Sequence, residues 1–205
     1  ELFQFWLNRP AYSKMSDPHY KMLWNEDLPK ISLKDRKGLH TSITIVAGKI
    51  KDAVPPEPAP DSWAADVENE VAIWHIAMEE NAQWEIPAAR GPANRSLFCF
   101  EGDSVEIDKT EIRSGNIIEL NAVENTRIKN GNNTSRFLLL QGKPINEPIV
   151  QYGPFMMNSK TEIEKAFQDF KETRFGGWPW PRPDMVHDTS KGRFAKFADG
   201  KEVVK

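Results

Sequence analysis

Short apolar and β-branched runs, broken by turn residues every few positions, limit most strongly what this chain can fold into. Residues 42–46 are β-branched and half alternating, and residues 71–78 are apolar almost throughout. Residues 96–100 run into the turn signal Glu101-Gly102-Asp103, and residues 104–107 read as the second arm of a hairpin. Residues 112–116 read as a further turn before a strand over 117–120. Asn130-Gly131-Asn132-Asn133 separates a strand over 126–129 from one over 136–141. Several short strands at intervals of about 8–12 residues predict a β-sandwich or barrel. The fold class is therefore mainly β.

One helix stands out. Ser159 is followed three residues later by Glu162, a capping box. Ile163, Ala166, Phe167 and Phe170 then recur at helical spacing and form an apolar stripe. Lys171 and Arg174 suit the negative end of the helix dipole, and Gly176-Gly177 ends the segment. Residues 51–61 carry four prolines and read as a stiff surface loop. Residues 178–183, Trp-Pro-Trp-Pro-Arg-Pro, open an irregular tail expected to lie as an ordered strap.

Composition narrows the function class. Hydrophobic residues make up 39% of the chain and charged ones 28%, enough to fill a core. Twenty-seven Lys and Arg against 30 Asp and Glu leave a net charge of −3. That balance lacks the basic excess of a general nucleic-acid or membrane-surface binder. No run of about 18 apolar residues is present to cross a membrane. The single cysteine, Cys99, cannot form an internal disulfide and sits in an apolar run, so it reads as a buried core thiol. One cysteine suits a reducing cytoplasm, the expected location, and makes the sequons at Asn94, Asn132 and Asn133 chance matches.

Generic chemistry is sparse. His19, His40, His75 and His187 form no His-x-His or His-Glu-x-x-His pattern, so no local spacing gathers metal ligands. His75 reads as a structural histidine, on the strand face opposite Trp74 and Ile76, and His19 as a surface or interface residue. Asp66, Glu68, Glu70, Glu79 and Glu80 read as solvated charge. No nucleophile elbow, phosphate-binding loop or dinucleotide fingerprint appears, and no catalytic residue can be named.

A resemblance adds more. Gly142, Pro144, Glu147 and Pro148, then Gly153, Pro154, Phe155, Met157 and Asn158, then the helix, closely resemble the C-terminal signature of the pirin family. The start, Leu2 to Asn8 with Pro10, Lys14-Met15 and Pro18-His19-Tyr20, looks like the join between that family's two domains. Arg174 to Pro179 is similar to the tail of longer bacterial members.

The resemblance implies a cupin-type β-barrel or jelly roll with one C-terminal helix. It implies three regions: 1–37, the last strand of an absent N-terminal cupin plus a connector; 38–150, the C-terminal cupin barrel; and 151–205, the signature segment, helix and tail. Pirins are bicupins, and iron (Fe2+) or another divalent metal is expected in the absent N-terminal barrel. The general cupin ligand positions of the second barrel fall near Ala89, Gly91 and Arg95, with Glu119 alone further on, so no metal or other cofactor is expected in this chain. Phe3, Phe5, Trp6, Phe155, Met157, Ile163, Phe167 and Phe170 are expected to face the absent barrel, a protein partner or a second copy. Three functions follow from the resemblance: half of a quercetin 2,3-dioxygenase-type oxygenase, a redox-linked regulator of a transcription factor or metabolic enzyme, or a metal-free scaffold.

Overall fold

Alternation of buried and exposed residues sorts the middle of the chain into two facing sheets in the computed structural model, which describes residues 2–178, 180–182 and 187–205. Ten strands precede residue 143: β1 (Lys30–Lys34), β2 (His40–Ala47), β3 (Ala72–Met78), β4 (Gln83–Ile86), β5 (Asn94–Glu101), β6 (Ser104–Ile107), β7 (Thr110–Arg113), β8 (Ile117–Asn121), β9 (Thr126–Asn130) and β10 (Ser135–Gly142). One sheet has the order β1-β2-β3-β10-β5-β8 and the other β4-β9-β6-β7, with antiparallel pairing throughout. The apolar residues of one strand face point inward because strand side chains alternate. Ile43, Ile45, Trp74, Ile76, Leu97 and Phe137 from the first sheet thus meet Ile86, Val105, Ile107 and Ile128 from the second. The strand spacing predicts such a β-sandwich or barrel, and the cupin-type form is the one that the resemblance implies.

Cys99 is 2% exposed inside that core, and burial raises its thiol pKa above the ordinary value. His75 lies on the outer face of β3, where its ring sits 5.9 Å from that of Phe100.

The chain forms two units. The first comprises residues up to Arg9 together with Leu23–Asn146, and the second Pro10–Met22 together with Glu147–Lys205. In the second, β11 (Val150–Tyr152) and β12 (Phe155–Met157) form a hairpin against α1 (Lys160–Thr173). One arm of the capping box is formed, the Glu162 N–H donating to Ser159 Oγ, while the Glu162 carboxylate accepts from the Asn158 N–H, one residue before the cap. Ile163 and Ala166 are the buried residues of the helix. A short hairpin, β13 (Phe194–Lys196) and β14 (Glu202–Val204), gives the tail a regular element that its composition does not announce. Tyr20 meets Phe197 edge to face at 5.2 Å, fastening that tail to the segment 10–22. In the Trp-Pro segment, Pro179 and Pro183 lie outside the described residues, while Trp178 and Trp180 meet edge to face at 4.6 Å.

Residues 2–7 form no strand. A strand needs a neighbour to take up its N–H and C=O groups, and no described strand pairs with this segment. Phe3 instead lays its ring edge on against Phe100, 4.9 Å away.

Candidate functional site

A cavity of about 980 Å³ lies at one end of the first unit, where β2, β4 and β10 finish and β3 and β5 begin. Val46, Ile50, Val71, Trp84 and Ala89 supply apolar wall, and the proline loop supplies Val54, Pro55, Pro56 and Pro58. Proline fixes its own backbone torsion, so that side of the cavity is built from chain with little freedom to lose. Gly48 also lines it at φ +72°, and a Cβ there would stand 2.6 Å from the Val71 carbonyl oxygen.

Arg95 is the one charged residue buried at this end of the barrel, 1% exposed. The strand register places it there: Arg95 pairs with Gln141 on β10, and Gln141 pairs with Ala72 on β3. Its Nε donates to Gln141 Oε1 at 2.7 Å and its Nη2 to the Pro87 carbonyl at 2.9 Å. Gln141 in turn donates to the Glu70 carbonyl. The third nitrogen, Nη1, has no hydrogen-bond partner among the described residues. Burial lowers the pKa of the guanidinium from its ordinary value, and the charge of Glu70 opposes that fall. The Glu70 carboxylate itself is engaged by Arg90, through Nε at 2.7 Å and the backbone N–H at 3.1 Å.

Trp74 sits two residues along β3 from Ala72, 4% exposed, and also lines the cavity. Its indole N–H has no partner among the described residues. By contrast, the indole of Trp63 donates to the Lys143 carbonyl. From the sequence, Arg95 reads only as a poor metal ligand, and Trp74 only as a residue on the strand face opposite His75, with no role at a site. No local pattern links the two, because the strand that joins them, β10, comes some forty residues after β5.

The cupin ligand positions do not fit a metal. Ala89 and Gly91 offer no side-chain donor, and the guanidinium of Arg95 is a cation. Among the described residues no three His, Cys, Asp or Glu side chains gather to hold one.

The residues expected at an interface fall into both units. In the first, Phe3 and Phe5 are each 41% exposed and Trp6 53%. In the second, Phe155 meets Phe167 at 4.9 Å and Phe170 at 6.3 Å, so these rings share one cluster between the hairpin and α1. Ile163 is buried, Met157 half-buried and Phe167 still 38% exposed.

The signature residues have a structural role. Glu147 Oε2 accepts from the Ala11 N–H at 2.7 Å and from Asn158 Nδ2 at 2.9 Å, and Asn158 also donates to the Pro148 carbonyl. One carboxylate thereby ties the segment 10–22 to the start of the helix. Glu147→Ala strips two donors of their acceptor. It should cost the protein about 1–3 kcal/mol, read as a lowered midpoint in thermal circular dichroism, with Glu147→Gln losing less. Unchanged melting in the alanine variant would contradict this role.

Two facing antiparallel sheets around one core make the first unit a cupin barrel. The chain belongs to the pirin family: the model of the pirin C-terminal cupin domain matches residues 73–176. It is 31% identical over 171 residues to a pirin-like protein of Solanum lycopersicum, covering 82% of this chain and 54% of that protein. It is 27% identical to the crystal structure of quercetin 2,3-dioxygenase from Acinetobacter baumannii, with a TM-score of 0.69 over 83% of this chain and 55% of that one. The chain thus spans about half the length of the curated relatives it matches. Among the described residues no helix is long and apolar enough to cross a membrane.

Proposed function

We propose that this chain is the C-terminal barrel of a bicupin, and that the other barrel carries iron and quercetin 2,3-dioxygenase-type chemistry. One observation carries the reading. The likeness to the Acinetobacter dioxygenase covers 83% of this chain but 55% of that enzyme. The ligand positions of this barrel, Ala89, Gly91 and Arg95, also lack metal donors, so iron needs a different site. In the first unit, the exposed faces of Phe3, Phe5 and Trp6 are where the other barrel is proposed to sit. Covering exposed aromatic surface favours association.

Oxygen uptake with quercetin tests the proposal, on iron-loaded protein that includes the preceding barrel and on the 205-residue chain. Turnover by the longer protein alone is the expected result. Turnover, or stoichiometric iron binding, by the shorter chain would overturn it. Iron bound by the longer protein without any flavonol turnover would replace the oxygenase with the redox-linked regulator.

A further inference from the structure

We infer that the end of this barrel is itself a binding site for a small aromatic carboxylic acid, the carboxylate held by Arg95 Nη1 and a second acceptor by the Trp74 N–H. This does not depend on where the iron lies.

Two independent donors point to a ligand. Arg95 and Trp74 are 1% and 4% exposed, they line one cavity, and each keeps a buried N–H without a partner among the described residues. Buried polar groups are normally satisfied, and an orphan calls for an explanation. For Arg95 the argument is stronger. Both of its acceptors are neutral, an amide oxygen and a backbone carbonyl, so no carboxylate touches a buried cation. A buried charge is stable when paired. Glu70, whose charge acts on Arg95 without a hydrogen bond, is already committed to Arg90. Gln141 and the Pro87 carbonyl fix two edges of the guanidinium, leaving Nη1 presented in a fixed direction.

The walls select the rest of the ligand. Val46, Ile50, Pro55, Val71 and Trp84 offer apolar and aromatic surface, and the volume of about 980 Å³ is that of a small-molecule site. A bare inorganic anion would leave this surface wet. Strands β5 and β3 are separated by one strand, and Trp74 lies two residues along β3 from Ala72, the residue in line with Arg95, so the two backbones are about 12 Å apart. A ring carrying a carboxylate on one side and a phenolic oxygen on the other can bridge side chains that reach in from both strands.

Titration of the 205-residue chain with 4-hydroxybenzoate, by calorimetry and tryptophan fluorescence, tests the site. Saturable one-to-one binding is expected, with 4-hydroxybenzamide at least about tenfold weaker because it lacks the charge. Arg95→Gln should also lose about tenfold or more, and Trp74→Phe a smaller factor of about threefold. Should Arg95→Gln fail to fold, the acid–amide comparison on the unaltered chain and the Trp74→Phe variant decide the matter. Equal affinity for acid and amide would overturn the inference. So would the absence of saturable binding up to about 10 mM acid, or displacement of the acid by inorganic phosphate at equal concentration.

Discussion

Phe137→Ala should lower the unfolding free energy by about 3–5 kcal/mol, the largest effect expected of any single truncation in this chain. Phe137 is fully buried on β10, the strand that lies between β3 and β5 in the larger sheet. It pairs with Ile76 on one side and Cys99 on the other, at a point where the β10–β5 register shifts. Neighbours on both strands are held by their ladders, so the space left by the ring cannot close. Urea unfolding followed by circular dichroism reads the change. Phe3→Ala is the control: its ring is 41% exposed and meets only Phe100 among the aromatic contacts, so it should cost about 1 kcal/mol. A loss at Phe137 no larger than at Phe3 would mean that β10 is not the centre of the core.

Gly102→Ala should cost about 2–4 kcal/mol, although it adds a single methyl group. Gly102 stands in the turn between β5 and β6 at φ +119°, a conformation that L side chains rarely adopt. A Cβ there would also overlap the Ser135 side chain, 2.7 Å from its Cβ and 3.1 Å from its Cα. Ser135 is 1% exposed at the start of β10 and cannot swing away. Strain and overlap therefore add. Gly38→Ala separates the two, since Gly38 has φ +82° but nothing within 4 Å of the added Cβ. It should lose only the torsional part, about 1–2 kcal/mol. Equal losses at the two glycines would dismiss the contact with Ser135.

Most strands of the barrel were legible because half-buried strands declare themselves by period. The readings at 71–78, 96–100, 117–120, 126–129 and 136–141 fall within two residues of Ala72–Met78, Asn94–Glu101, Ile117–Asn121, Thr126–Asn130 and Ser135–Gly142. Lys30–Lys34, Gln83–Ile86 and Thr110–Arg113 were not read. All three are edge strands, short and mostly exposed, so little burial marks them. The turn before Thr110 was hidden as well. Asp108 and Lys109 take φ of 46° and 72° with no glycine or asparagine to signal a tight turn.

By itself the sequence determined the strand-rich class, the capped helix, the stiff proline loop and the pirin signature. Each depends on residues close together in the chain, where period, capping and torsional restriction act locally. Tertiary structure alone decided that Glu147 reaches back to Ala11, and that Arg95 and Trp74 share one cavity. Those outcomes turn on pairing between distant strands. The position of Arg95 follows from Gln141, 46 residues further on, and no local rule can state which two strands β10 will join.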